Sequence, residues 1–123
     1  MKTGTIKSRK LIEQLFDRDN KKTSSVSAFP VRAVWMENDH QQVMVSVSKR
    51  HFHHAVDRNR IKRQIREAFR LNKEILTDGV PETAPPLAIA FIWLSDSHMP
   101  SENIHRCVRR VLHRMAESQT KSV

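Results

Sequence analysis

Residues 86–94 read PLAIAFIWL, nine residues without a polar member. The run has the length of a strand and falls far short of the about 20 apolar residues that a membrane-spanning helix needs. A strand at a sheet surface alternates apolar with polar side chains; one that is apolar throughout is buried on both faces. The chain therefore has to supply a sheet around this strand and helices to cover it. Just before it, TDGVPETAPP at 77–86 holds three of the five prolines and one of the two glycines and reads as a loop.

The partners are legible nearby. FPVRAVWM at 29–36 alternates, with Phe29, Val31, Ala33 and Trp35 on one face and Pro30, Arg32 and Val34 on the other. Pro30 suits the start of a strand or an edge. ENDHQ at 37–41 reads as a turn, and VMVSVS at 43–48 points Val43, Val45 and Val47 inward. The polar stretch 17–27 admits a short edge strand around Val26. Three helices are predicted. Residues 8–16 open with Ser8 as N-cap and carry Leu11, Ile12, Leu15 and Phe16 on one stripe. A basic helix covers roughly 54–74. The last is capped by Ser101 and buries Ile104, Val108, Val111, Leu112 and Met115. Trp35, Phe91 and Trp93 are core aromatics on these spacings, Cys107 is a small buried residue, and SQTKSV at 118–123 is a frayed tail. The expected architecture is α+β, a small αβββαβα two-layer sandwich with helices packed on a central sheet, formed by one domain over 1–123.

One cysteine excludes an internal disulfide and a multi-cysteine zinc site, which fits a reducing cytosol and a cytoplasmic location. MKTGTIKSRKLIEQLF has basic residues but no apolar core of a secretory signal. The net charge of +9 is concentrated: residues 49–73 carry nine Lys/Arg against two acids, whereas 74–100 carry four acids and no Lys/Arg. A localised basic block on a chain of pI about 10.5 points to nucleic acid before anionic membrane.

Within that block, DRNRIKRQIREAFR at 57–70 separates its residue types when wound as a helix. Ile61, Ile65, Ala68 and Phe69 form the core stripe. Lys62, Arg63, Arg66, Arg70, Lys73 and Asn59 share one band about 100° wide, flanked by Arg58 and Arg60. Asp57 and Glu67 fall outside the band. A helix held by ion pairs would interleave acids with bases; crowded cations make sense if a polyanion relieves their repulsion. Arginine adds bidentate phosphate contacts and stacking. Asn59 can read a base edge or a sugar hydroxyl, or fix the helix start through a local hydrogen bond. Lys49 and Arg50, just upstream, extend the basic block.

The run VSVSKRHFHHAVDRNRIKRQIREAFR at 45–70 resembles the protein subunit of bacterial ribonuclease P. The resemblance rests on Ser46-Val47-Ser48-Lys49, Ala55-Val56, Arg58-Asn59-Arg60, Lys62-Arg63, Arg66 and Phe69, and extends more weakly over nearly the whole chain. It implies assistance in 5′ maturation of tRNA, with the chemistry carried by a large catalytic RNA and its Mg²⁺ ions, and with no cofactor held by the protein alone. It implies two RNA partners, the catalytic RNA and the 5′ leader of precursor tRNA. Arg58, Asn59, Arg60, Lys62, Arg63 and Arg66 would face the RNA, and Phe16 would line a leader cleft between helix and sheet. The implied fold is a ribosomal-protein-like sandwich with a left-handed β-α-β crossover, against the usual hand. Three features depart from the family pattern: the link RHFHH is one residue longer and lacks a Gly, Arg32 stands where the cleft strand commonly has an aromatic, and Ile12 where Phe is common. Arg32 can still stack on a base and meet a phosphate.

Other readings fare worse. Asp57 and Glu67, about 15 Å apart along a helix, cannot share a metal. His51, His53 and His54 lack further ligands at zinc-site spacing. No Ser-His-Asp spacing or small-molecule site stands out. A membrane-surface helix would need apolar residues that the core stripe uses. The rival from another class is a structural or ribosomal RNA-binding protein, which charge and helix geometry alone do not separate from the ribonuclease P reading.

Overall fold

The computed structural model describes residues 4–17, 19–78 and 84–120. The elements in chain order are β1 (Gly4–Thr5), α1 (Arg9–Phe16), β2 (Ser24–Ala28), β3 (Val31–Glu37), β4 (Gln42–Ser46), α2 (Ala55–Asn72), α3 (Glu74–Asp78), β5 (Leu87–Trp93) and α4 (Ser101–Thr120). The five strands form one sheet in the order β1-β4-β5-β3-β2. The apolar run is the middle strand, antiparallel to β3 and parallel to β4.

Alternation along β5 sorts its side chains onto two unlike faces. Leu87, Ile89, Phe91 and Trp93 join Val43, Val45 and Val47 of the β4 segment, Val31, Ala33 and Trp35 of β3, Ile61 and Ile65 of α2, and Ile104, Val108 and Leu112 of α4. This is the main core. Ala88 and Ala90 point the other way and meet Leu15 of α1 with Ile6 and Val34. Two alanines there let a short helix sit close to the sheet. Burying each large side chain stabilises by about 1.5–3 kcal/mol, so the larger cluster dominates stability. The result is the expected two-layer α+β sandwich, with α1 as a small cover on the second face. The β4-α2-α3-β5 connection is a helical crossover between parallel neighbours.

Local chemistry sets the helix ends. Ser8 Oγ accepts from Leu11 N at 3.3 Å and caps α1. At the other end Asn20 Nδ2 donates to the Gln14 carbonyl at 3.0 Å. The α2 stripe of Ile61, Ile65, Ala68 and Phe69 is buried as its spacing requires. α2 stops at Asn72, whose side chain donates to the Ala68 carbonyl at 2.7 Å. α3 then returns Leu76 to the core.

Several expectations change. Phe29 is not on the inward face: Ala28 pairs with Val31, so Phe29 and Pro30 form the hairpin turn, and Phe29 is 73% exposed. Alternation counted from Phe29 began one turn too early. Ser101 is the first residue of α4; the Pro100 carbonyl accepts from Asn103 N and Ile104 N, while the Ser101 hydroxyl is held by Gln64. α4 continues to Thr120, past the Ser118 at which fraying is expected, and 121–123 lie outside the described residues. Thr77 and Asp78 of the expected loop belong to α3, and 79–83 are likewise outside the described residues. β1 and α3 are too short for a periodic signal. Cys107 is half-buried against the main core and its thiol meets the Phe29 carbonyl at 3.7 Å.

Candidate RNA-binding faces

Because the core stripe fixes how α2 rolls on the sheet, its opposite side has to face solvent. Asn59, Lys62, Arg63, Arg66, Glu67 and Arg70 line an open depression of about 380 Å³ along that side. Five of these six belong to the predicted band. Lys73, the sixth band member, sits at the α2 C-cap and is half-buried outside the depression. Among the described residues Lys62, Arg63 and Arg66 enter no ion pair. Arg63 and Arg66 are exposed and Lys62 half-buried; Arg60, exposed, flanks them.

The separation of acids from bases is less complete than the wheel implies. Glu67 lines the depression and takes Arg70 through two bonds, Nη2 to Oε1 at 2.5 Å and Nε to Oε2 at 3.2 Å. The Arg70 guanidinium holds the Glu67 carboxyl below its ordinary range, with His105 of α4 contributing, and Glu67 raises Arg70 in turn. Arg70 is thus partly neutralised, and the cations left uncompensated are those nearer the N-terminal half of the helix.

Arg58 has a second task. Its Nη1 donates to the Phe52 carbonyl at 2.8 Å and the His53 carbonyl at 3.0 Å. It braces the link between β4 and α2. That link also closes on itself: the Ser48 carbonyl accepts from His51 N and Phe52 N, and Ser48 Oγ from Arg50 N at 3.1 Å. Lys49 and Arg50 stand exposed on this turn. Two more pairs tie α2 and the link to the segment before α4, His51 Nδ1 with Asp96 at 2.5 Å and His98 Nε2 with Asp57 at 3.1 Å. Phe52 lies against the His98 ring, centroids 4.7 Å apart. Sequence reasoning missed these bonds and the bridge from Gln64 to the Ser101 hydroxyl at 3.0 Å, because pairs 37 to 45 residues apart leave no spacing signal. Among the described residues no three His, Cys, Asp or Glu gather to hold a metal ion.

Phe16 and Arg32 belong to the other face. Arg32 lies opposite Ser27 and Ile92 in the sheet, on the side of β3 that carries Val34 and Met36, which is the side α1 covers. It is exposed, as is Phe16, at 42%, on the last residue of α1. The predicted residues therefore form two groups on opposite sides of the sheet: a cationic helix face, and an open strip beside α1 with an aromatic and an arginine.

A family model for ribonuclease P matches residues 1–116. The chain belongs to the ribonuclease P protein family. A ribonuclease P protein component from Porphyromonas gingivalis is 35% identical over 114 residues, covering 85% of this chain and 83% of that one. The structure of the Staphylococcus aureus RNase P protein superposes with a TM-score of 0.72 at 27% identity, over 96% of this chain and 99% of that one. The Thermotoga maritima RNase P protein has the same fold, with a TM-score of 0.70 at 20% identity over 89% of this chain. Membership makes this ribonuclease P chain part of an endoribonuclease complex in tRNA processing with RNA partners, and sets aside the structural or ribosomal alternative. No described helix is long and apolar enough to cross a membrane.

Proposed function

We propose that the chain assists a catalytic RNA in removing the 5′ leader from precursor tRNA, acting in the cytoplasm. The uncompensated α2 face, Asn59, Arg60, Lys62, Arg63 and Arg66, takes phosphates of the catalytic RNA and of the substrate near the cleavage site. Lys49, Arg50 and Lys73 extend that field. The strip beside α1 takes the leader, Phe16 stacking on a base and Arg32 meeting a base face or a phosphate. Mg²⁺ is held by the RNA. The protein's contribution is to lower the repulsion between two polyanions and so reduce the Mg²⁺ their association needs.

The observation that carries this reading is the set Lys62, Arg63 and Arg66, aligned on one exposed helix face with no acid paired to them among the described residues. The test is cleavage of a precursor tRNA by its cognate catalytic RNA at low Mg²⁺, with and without the protein. Protein alone leaves the substrate intact; adding it to the RNA restores cleavage at the mature 5′ end. Binding without any gain in cleavage would refute the proposal.

A further inference from the structure

The α2 face and the α1 strip leave one charged surface unassigned. NIHRCVRRVLHRMA, residues 103–116, holds four arginines, two histidines and no acid. Ile104, Val108, Val111, Leu112 and Met115 are wholly buried, which turns Arg106, Arg109, Arg110 and His113 to solvent along the middle of α4. Among the described residues Arg106, Arg109 and Arg110 enter no ion pair. Arg114, by contrast, is occupied: its Nη1 donates to the Ser27 carbonyl at 2.5 Å and pins α4 to β2.

Two observations give this ridge a partner. The first is its place beside the α2 face. α2 and α4 pack side by side on the same face of the sheet, and His105 of α4 is close enough to Glu67 to depress its pKa. Packed helices lie about 8–10 Å apart, so the ridge continues the cationic surface of α2 rather than facing another way. The second is Phe29. The β2–β3 turn lies along the other flank of α4, its Phe29 carbonyl against Cys107 Sγ at 3.7 Å, and the ring is 73% exposed. Arg110, one helical turn beyond Cys107, and Arg106, its neighbour, lie on the solvent side of that contact. An exposed aromatic on a turn that packs against an arginine-bearing helix can stack an unpaired base while the arginines hold nearby phosphates. The acids on this side of α4, Glu102 and Glu117, stand at the two ends of the ridge, so the bare ring is what sets it apart from an ordinary solvated face.

We infer that α4 and the β2–β3 turn form a second RNA contact, in which Arg106, Arg109 and Arg110 bind phosphates of the catalytic RNA and Phe29 stacks on one of its unpaired bases. The inference rests on the ribonuclease P reading for the identity of the RNA and borrows its orientation from the neighbouring α2 face; its test is separate from that of the α2 assignment.

The test measures binding of the full-length protein to the cognate catalytic RNA as a function of salt. Glutamine keeps helix propensity close to that of arginine, and an unchanged thermal midpoint shows that each variant is folded. The triple variant Arg106→Gln, Arg109→Gln, Arg110→Gln is expected to flatten the log–log salt slope by about two to three. Phe29→Leu should weaken binding about tenfold without altering the slope. A charge-matched control, Lys7→Gln, Lys21→Gln, Lys22→Gln, should change the slope by less than about one. A triple variant with the wild-type slope, or no steeper a loss than the control, overturns the ridge. Wild-type affinity in Phe29→Leu overturns the stacked base. A parallel variant, Arg63→Gln with Arg66→Gln, separates the two readings: if it flattens the slope and the α4 triple does not, the α2 assignment stands alone. If only the triple does, the ridge stands and the α2 assignment falls.

Discussion

Replacing Arg58 should cost stability where replacing Arg63 should not, although both changes remove one arginine from α2. Arg58 is half-buried, and its Nη1 donates to two carbonyls of the 48–54 link, Phe52 at 2.8 Å and His53 at 3.0 Å. Hydrogen bonds to a charged group contribute about 1.5–3 kcal/mol each when protected. The bond to Phe52 is part-buried and the bond to His53 is exposed, so the first carries most of the effect. Arg58→Ala is therefore expected to destabilise by about 2 kcal/mol. For a chain of this size that lowers the thermal midpoint by roughly 8 °C. Arg63 is exposed and makes no ion pair among the described residues. Arg63→Ala should stay within about 0.5 kcal/mol of wild type, with relief of repulsion from neighbouring cations offsetting part of any loss. Thermal unfolding followed by circular dichroism decides the matter. Binding assays give the complementary order: Arg63→Ala flattens the salt slope by about one, and Arg58→Ala by less, because its guanidinium is already engaged. Equal losses of stability in the two variants would refute the bracing role and return Arg58 to the group of freely available cations.

Three further outcomes follow from the same geometry. Ile65→Ala, at a fully buried position in the main core, should destabilise by about 2–5 kcal/mol in denaturant titrations; a smaller loss would mean that α2 is rolled differently on the sheet. Glu67→Gln should free Arg70 and tighten RNA binding at neutral pH, with a steeper salt slope; weaker binding would show that the pair holds Arg70 in place for its ligand. Because Glu67 is lowered from its ordinary 4.5, what its pairing adds to stability is present above the unfolded value and lost as pH falls through the folded one. An NMR titration should accordingly place its midpoint below 4.5. Phe16→Ala with Arg32→Ala should weaken binding of a leader-bearing precursor tRNA to the assembled complex and leave mature tRNA unaffected; equal losses for both would remove the leader from the α1 side.

The sequence carried the sheet and the helix faces where periodicity was long enough. The unbroken apolar run could only be an interior strand, and Ile61, Ile65, Ala68 and Phe69 could only turn Lys62, Arg63 and Arg66 outward. What it did not carry was contact between distant residues. Arg58 reads as one more cation until the Phe52 and His53 carbonyls are seen beneath it. Glu67 lies just outside the band by angle, yet its flexible side chain reaches Arg70 three residues on. Phe29 continues an inward alternation in one dimension, but the hairpin places it in a turn. His51 reads as one of three neighbouring histidines until its partner Asp96 is seen, and His98 gives no signal at all without Asp57.

The difference in cover between the two faces follows from β5 itself. On one side its large residues require deep cover, which α2 and α4 supply with 18 and 20 residues. Helices of that length run about 27–30 Å, enough to close that face of the sheet and present two continuous outer surfaces. On the other side Ala88 and Ala90 require little, and α1 has only eight residues, about 12 Å of helix. Five strands at about 4.8 Å spacing are wider than that. Part of the second face therefore stays uncovered, and the row Ser46–Ile92–Arg32–Ser27 crosses it with its side chains exposed or half-buried. That uncovered row is the strip on which we place the leader, whereas the closed side presents the outer surfaces of α2 and α4, with the depression along α2. The alternation of large and small residues along one buried strand is thus what separates a partly open sheet face from a fully covered one.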